Sequence, residues 1–252
     1  MGKTDISNLL DEINSTLENR KQIIKKNTSR FLSEIQFRRE LYLKAKNELN
    51  KYLAHDYNVF DFINPDERKL SDIIAFLLDP NEKHGQNVNF LYEFLCLIKG
   101  KTELLNAVEK DDLNNSNVYC EYFTWGDKAD YKIIDIFIVL KKESDEFVIA
   151  IENKPFVGEH HLQVNNYIDF LEGNYLDKYV FVFLSRSGDD PVSIIDYNRK
   201  DLLKNKGTLV STSYADLIKK WLDRCFKECE AEKIRWFIKD FIQYVDKYID
   251  HQ

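Results

Sequence analysis

Two neighbouring apolar segments carry residues that are suited to phosphodiester chemistry. Asp135 interrupts the segment KIIDIFIVL, and FVIAIENK ends with Glu152, Asn153 and Lys154. Two adjacent carboxylates in a place of low dielectric constant cannot both ionise at small cost. Mg²⁺ offsets that cost and takes one or two protein carboxylates together with waters and a substrate phosphate. Lys154 is suited to stabilise developing negative charge or to orient the attacking water, so these residue types predict metal-assisted phosphodiester hydrolysis.

Three consecutive segments that would hold these residues have the composition of β-strands. VYCEYFTW, KIIDIFIVL and EFVIAIENK are rich in β-branched and aromatic residues, and KKESDE is predicted to be a hairpin loop. Strict alternation places Glu152 and Lys154 on one face of their strand. In the preceding strand it predicts that Asp135 shares a face with Ile133, Phe137 and Val139, opposite Ile134, Ile136, Ile138 and Leu140. The hairpin then brings Asp135 and Glu152 onto adjacent strands.

The flanking segments predict helices around a mixed sheet. Asn64-Pro65-Asp66-Glu67 marks a helix start, and VNFLYEFLCLI is a second helix. GEHHLQVNNYIDFLEG has helical spacing and is predicted to end at Gly173 as the C-cap. KYVFVFLS and TLVSTSY are predicted strands with the loop SRSGDDPVS after the first, and helices over 214–229 and 232–249 follow. This order predicts an α/β sandwich with a central mixed β-sheet.

Residues 5–53 contain no proline or glycine and have apolar residues at helical spacing. The pattern predicts one long helix, or two consecutive helices, with a stutter near residues 31–35. We therefore divide the chain into a helical extension over 1–56 and a second domain over 57–252. The helix either covers part of the core, binds a protein partner or forms a homodimer.

The pattern around the acids resembles a known superfamily. Asp135, followed after sixteen residues by Glu152-Asn153-Lys154, is similar to the D…E-x-K signature of PD-(D/E)XK nucleases. PDERKLSDIIAFLLDPNEKHGQNVNFLYEFL resembles the opening helices of a subfamily of uncharacterised bacterial-type nucleases in that superfamily. Ile134 stands where many members have proline. The resemblance implies a restriction-endonuclease-like core of a mixed sheet flanked by helices, with a long N-terminal helical extension added in this chain.

The resemblance also implies a set of site residues. Glu67 is the additional acid from the first core helix, with Ser71 one turn along that helix. Gln163 and Tyr167, at positions i and i+4 of a later helix, match a glutamine and a tyrosine that face the site in the family. The implied metal ligands are Asp135, Glu152, Glu67 and the backbone carbonyl of Asn153. Lys154 assists the attacking water, Gln163 belongs to the catalytic set, and Ser71 and Tyr167 support it.

The implied activity is Mg²⁺-dependent hydrolysis of DNA, of the endonuclease type, with Mn²⁺ able to substitute. Analogy favours defence against mobile elements as the setting, and repair or a role tied to a neighbouring protein are the alternatives. The alternative is a catalytically silent module that binds nucleic acid or regulates a partner. The complete Asp/Glu/Lys set favours turnover. Individual residues also have structural alternatives, because an acid in the first turn of a helix, such as Glu67, commonly stabilises the helix dipole. Gln163 and Tyr167 would equally suit an amphipathic helix.

Composition limits the other classes of function. The net charge is −7, yet residues 1–52 hold eleven Lys/Arg against seven Asp/Glu, so that segment is basic and the remainder strongly acidic. No apolar run is long enough to span a membrane, and the first residues lack the apolar region of a signal peptide. The four cysteines form no CxxC pair and are predicted to be reduced thiols of a cytoplasmic protein.

Overall fold

The computed structural model describes residues 3–54, 56–124, 132–142, 145–156 and 158–250. The chain divides into two compact units, Met1–Tyr57 and Asn58–Gln252. The first unit contains helix α1 (Lys3–Leu53), which is a single helix of 51 residues. The stutter near residues 31–35 therefore does not interrupt the helix, as expected for a change in apolar spacing that leaves the backbone free of proline and glycine.

The second unit is built on one five-stranded sheet. Its strands are β1 (Asn117–Thr124), β2 (Lys132–Lys142), β3 (Asp145–Lys154), β4 (Tyr179–Ser185) and β5 (Leu209–Ser213). They lie in the order β1-β2-β3-β4-β5, in which β1, β2 and β3 form an antiparallel meander and β4 and β5 run parallel to β3. The predicted mixed sheet is confirmed. Trp125 and residues 143 and 144 of the predicted hairpin loop lie outside the described residues.

In the described part of the second unit, seven α-helices surround this sheet. They are α2 (Val59–Ile63), α3 (Glu67–Leu78), α4 (Asn89–Lys99), α5 (Gln163–Tyr175), α6 (Tyr197–Lys206), α7 (Lys220–Glu228) and α8 (Glu232–Val245). Short 3₁₀ segments cover Glu103–Leu105 and Lys110–Asn115, and π-helical segments cover Tyr214–Lys219 and Asp246–Asp250. None of the helices among the described residues is long and apolar enough to cross a membrane.

The sheet buries both of its faces. One core layer joins Ile136, Ile138 and Ile149 to apolar residues of α3, α4, α7 and α8. The other layer joins Phe137 and Val148 to α5 and to Leu203 of α6. Both faces of β3 and β4 are therefore apolar, as is typical of strands covered by helices on two sides. This arrangement confirms the predicted α/β fold with a restriction-endonuclease-like core.

The alternation of side chains reverses where Asp135 lies. Ile134 packs in the same core layer as Phe137, whereas Ile136 packs in the opposite layer. The prediction that Ile134 and Ile136 share a face is therefore wrong. Opposite this position, Glu121 of β1 has a φ of +56°, in the left-handed region. Such a residue turns the strand locally, so that strict alternation does not hold across it.

Helix α5 differs from its prediction at both ends. It begins at Gln163, so that His160 and His161 precede the helix, and it continues to Tyr175 with Gly173 inside it. The predicted C-cap at Gly173 is therefore wrong. The side chain of Gln163 accepts a hydrogen bond from the backbone N–H of His160 at 3.1 Å, which closes the turn before the helix. This local hydrogen bond helps to determine where α5 begins, which helical periodicity alone did not predict.

Helix α6 lies between the predicted loop SRSGDDPVS and β5, in a stretch for which the sequence predicted neither helix nor strand. Its N-cap Asp196 accepts hydrogen bonds from the N–H groups of Asn198 and Arg199, and Gly207 ends it with a φ of +74°. Lys200 and Leu203 are its buried residues, so α6 has no apolar stripe that periodicity would detect. It supplies the crossover that two parallel neighbours such as β4 and β5 require.

Candidate active site

The first feature of the site is the way in which Asp135 ends the pairing of two strands. Backbone pairing between β2 and β3 runs as far as Ile136 and Ile151. Beyond that pair, the N–H group of Asn153 donates to Asp135 Oδ2 at 2.7 Å. The Asp135 carboxylate therefore accepts a hydrogen bond from a backbone N–H group of β3 that lies beyond the paired part of β2. Asp135 is thereby held beside the Glu152-Asn153-Lys154 segment.

Lys154 joins acids from two different elements. Its Nζ atom lies 2.6 Å from Glu67 Oε1 and 2.7 Å from Glu152 Oε1. Glu152 is completely buried and Lys154 is 8% exposed. Glu67 is the first residue of α3, 87 residues before Lys154 in the chain. The structure therefore brings together the helix acid and the two charged residues at the end of β3.

The start of α3 is determined by local hydrogen bonds. The N-cap Asp66 accepts from the N–H of Lys69 at 2.8 Å, so the helix begins at Glu67 and Pro65 precedes the cap. Ser71 Oγ donates to the carbonyl oxygen of Glu67 at 3.0 Å. This hydrogen bond ties Ser71 to the backbone of the residue whose side chain meets Lys154.

The Asn153 side chain connects the end of β3 to the helical layer on the face of the sheet opposite to Glu152. Its Nδ2 donates to Ser71 Oγ at 2.9 Å, and its Oδ1 accepts from the hydroxyl of Tyr214 at 2.6 Å. Asn153 and Tyr214 are completely buried. Sequence reasoning did not identify Tyr214, which is one of fourteen tyrosines and belongs to no motif. Only the packing of the chain after β5 against β3 shows that its hydroxyl reaches the site.

Gln163 and Tyr167 lie next to Glu152. Gln163 Nε2 donates to Glu152 Oε1 at 2.6 Å and to the Tyr167 hydroxyl at 3.2 Å. The Tyr167 hydroxyl donates to the carbonyl of Ile133 at 2.6 Å. The i and i+4 positions of α5 thus contact both strands that carry the acids, and Gln163 limits the orientations open to the Glu152 carboxylate.

Burial and charge shift the ionisation of these groups. Burial, with a further contribution from the charge of Asp135, raises the pKa of Glu152 to about 8. Burial also raises the pKa of Asp135 to about 6, and the hydrogen bond from Asn153 opposes that shift. Burial alone would lower the pKa of Lys154, but the adjacent carboxylates of Glu152 and Glu67 raise it above its ordinary value. The lysine therefore remains a cation, while the two acids tend to retain protons.

The donor atoms at this position fit a hard divalent cation. Oε2 of Glu67 and Oε2 of Glu152 are buried and have no hydrogen-bond partner in the described part of the chain. Glu67 and Glu152 flank the ammonium of Lys154 and the charge of Asp135 also acts on it, so a divalent cation would offset the excess of negative charge. Within the described ranges, no three His, Cys, Asp or Glu side chains are already arranged to hold a metal ion, and the Lys154 ammonium lies between two of the acids.

The cysteines belong to other parts of the second unit. All four are free thiols, and Cys225 and Cys229 are buried. Cys120 Sγ donates to Asp72 Oδ1 at 3.2 Å, which links β1 to α3. Burial raises the pKa of this thiol to about 12, so it is a structural hydrogen-bond donor and not a reactive thiolate.

Comparison with known proteins places this geometry in a family. Residues 57–243 match the PD-(D/E)XK nuclease superfamily, and the matched region includes every element that contributes to the site. Helix α1 lies outside the match. Neither a curated protein nor a solved structure shows significant similarity to the chain. Since the family match covers most of the sequence, the chain belongs to the PD-(D/E)XK nuclease superfamily.

Proposed function

We propose that this protein is a Mg²⁺-dependent nuclease that hydrolyses phosphodiester bonds within DNA. One observation carries the proposal. Asp135, Glu152 and Lys154 lie close together where the pairing of β2 and β3 ends, and Glu67 of α3 pairs with Lys154 there. Membership of the superfamily supports a nucleic-acid substrate and a divalent metal. Defence against mobile elements stays a prediction from the resemblance.

The proposed metal ligands are the carboxylates of Asp135 and Glu152 and the backbone carbonyl of Asn153, with Glu67 as a further acid. Bound Mg²⁺, or Mn²⁺ in its place, supplies positive charge that polarises the phosphate and stabilises the charge that develops during hydrolysis. The unpartnered Oε2 atoms of Glu67 and Glu152 support this ligand set. Water attacks phosphorus in line with the leaving oxygen.

Lys154 acts in this proposal as a hydrogen-bond donor. The carboxylates of Glu152 and Glu67 raise its pKa, so its side chain remains an ammonium at neutral pH and does not accept a proton from water. It instead orients the attacking water and stabilises negative charge on the phosphate. Glu67, which already pairs with Lys154, holds that ammonium and helps to position the water.

The remaining candidates position these groups. Gln163 belongs to the proposed catalytic set through its hydrogen bond to Glu152, which leaves the second oxygen of that carboxylate free. Tyr167 holds Gln163 against β2. Ser71 connects Asn153 to the start of α3. Hydrogen-bonded support of this kind fixes the orientation of ligand side chains.

The test is cleavage of plasmid and oligonucleotide DNA with Mg²⁺ and with a chelator. We expect Asp135→Asn and Lys154→Met to lower the cleavage rate by at least about 100-fold, the scale on which a positioned charge contributes to catalysis. Asp145→Asn and Lys178→Met are matched controls, because these two residues form an exposed ion pair at the other end of β3. Both controls should retain activity.

Three outcomes would change the proposal in different ways. Undiminished cleavage by Asp135→Asn would remove the proposed site. Cleavage of RNA but not of DNA would reassign the substrate. Calorimetric binding of Mg²⁺ that is lost in Asp135→Asn, without cleavage of any nucleic acid, would favour the catalytically silent module.

A further inference from the structure

Helix α1 presents apolar side chains along almost its whole length. From Asp11 to Leu53 its side chains are exposed, apart from the half-buried Lys46 and Asn50. The exposed residues include large ones such as Ile24 (64%), Phe31 (63%) and Tyr42 (65%). A helix longer than about 25 residues with sustained apolar periodicity is typical of a coiled coil. The first unit therefore contains a helix with no core of its own.

The apolar residues follow a heptad pattern in two frames. Taking Leu10, Leu17, Ile24 and Phe31 as a positions places Ile6 and Ile13 at d. After the stutter, Ile35, Tyr42 and Leu49 are a positions and Ala45 and Tyr52 are d positions. Ile23 and Leu41 fall at the flanking g positions and widen the stripe. Arg20, Asn27 and Arg38 also fall at d, so the apolar seam of a two-stranded coiled coil is formed mainly by the a positions on both sides of the stutter.

We propose that α1 pairs in parallel with α1 of a second copy of this chain to form a two-stranded coiled coil. A stripe that runs the length of the helix, about 77 Å at roughly 1.5 Å per residue, is complementary to itself when two copies lie side by side. Pairing buries apolar a and d side chains that are exposed in the single chain, such as Ile13, Leu17 and Ile35. The proposal is independent of the nuclease mechanism.

Charges beside the seam favour the parallel orientation. Glu34 occupies a g position and Arg39 the following e position, so in a parallel pair Glu34 of each copy faces Arg39 of the second copy. An antiparallel pair places g positions against g positions and e positions against e positions, so that Glu34 would not face Arg39. Arg38 falls at d, but its guanidinium already pairs with Glu34 at 2.7 Å within the helix. Asn27 also falls at d, where a polar side chain can set the register.

The first test measures the molar mass of the full-length protein in solution by sedimentation or light scattering. We expect twice the mass of a single chain. Leu49→Asp removes an a position and should raise the dissociation constant of the dimer at least about 100-fold, because two leucines per dimer lose their burial. Leu43→Asp is the matched control: it changes the same residue type at a b position, outside the seam. Leu43 and Leu49 are 43% and 52% exposed in the single chain.

The second test determines orientation. In a parallel pair, Ala45 of one copy lies beside Ala45 of the second copy, within the Cα separation that a disulfide requires. Under mild oxidation, Ala45→Cys should therefore form a covalent dimer, whereas Leu43→Cys and the wild-type protein should not.

Specific results would overturn the proposal. A monomeric wild-type protein would exclude pairing, and this includes a monomer whose α1 binds DNA or another protein instead. Equal masses for Leu49→Asp and wild type would place the dimer contact elsewhere. Failure of Ala45→Cys to cross-link in a dimer that Leu49→Asp dissociates would exclude the parallel arrangement.

Discussion

Individual side chains at the site have ionisation properties that follow from their burial. Glu152 is fully buried between a lysine and a glutamine, and one of its oxygens has no hydrogen-bond partner in the described structure. Burial disfavours its charged form, and the nearby charge of Asp135 acts in the same direction. Protonation of Glu152 therefore stabilises the folded, metal-free protein. A cation would reverse that preference, because it binds the ionised carboxylate.

The pH dependence of stability follows from this shift. The pKa of Glu152 rises from 4.5 to about 8 on folding, so its protonation stabilises the folded protein below about pH 4.5 and this contribution is lost as the pH rises towards 8. Glu152→Gln removes the titration. We expect the difference in free energy of unfolding between wild type and variant to change by a few kcal/mol between pH 5 and pH 9, in favour of the variant at high pH. Urea unfolding with a chelator present measures it.

The control for this prediction is Glu146→Gln, which changes an exposed glutamate of the same strand and should follow the wild type. Adding Mg²⁺ at pH 9 should stabilise the wild type more than Glu152→Gln. Parallel pH profiles for wild type and Glu152→Gln would show that burial does not hold the proton on this carboxyl.

At the level of elements, the site depends on where α3 begins. Asp66 caps the helix and Glu67 follows immediately, so the cap that ends the preceding loop also sets the position of the acid that meets Lys154. Ser71, one turn later, joins the same helix to Asn153 of β3. The first two turns of α3 therefore contribute residues to the candidate site as well as to the fold.

Removal of this cap should affect activity more than stability. Asp66→Ala is expected to cost about 1 kcal/mol of stability, which lowers Tm by about 2–4 °C in a domain of this size. The matched control is Asp196→Ala, which removes the equivalent N-cap of α6, a helix that contributes no residue to the site. Both variants should lose similar stability in thermal unfolding.

We expect Asp66→Ala alone to reduce the rate of DNA cleavage, because Glu67 and its partner Lys154 lose their fixed position. Equal activity in Asp66→Ala and Asp196→Ala would show that the start of α3 contributes to the fold and not to the site.

At the scale of the whole molecule, the second unit contains its own core. Among the residues whose burial the structure describes, the buried apolar residues of both core layers begin at Phe60. Asn58 also ties the start of this unit to α8, since its Nδ2 donates to the carbonyl of Asp240 at 2.7 Å. The unit therefore has the buried apolar surface that an independently folding domain requires.

A chain that lacks residues 1–53 should fold without α1. We expect its Tm, measured by circular dichroism, to stay within about 2 °C of the full-length value, since the core layers of the described residues begin at Phe60. Its cleavage rate per site should be retained and its mass should be that of a monomer. Aggregation or a large loss of Tm would show that α1 is needed to cover the second unit.

The sequence alone determined the local features of this protein. Runs of β-branched and aromatic residues identified β2 and β3, because such residues are typical of strands. The short distance in sequence between Asp135 and Glu152 was sufficient to place both acids on one hairpin. Uninterrupted apolar spacing without proline or glycine likewise predicted α1. These features depend on neighbours within a few residues of one another.

Tertiary structure decided what depends on distant segments. The ion pair between Glu67 and Lys154 and the hydrogen bond from Tyr214 to Asn153 join residues 87 and 61 positions apart. The reversal of faces at Ile134 accompanies the conformation of Glu121 on another strand. Helix α6 is mostly exposed and so had no apolar pattern to predict it. Side-chain contacts across the fold, and the burial that shifts the pKa of Glu152, exist only once the sheet and helices have packed together.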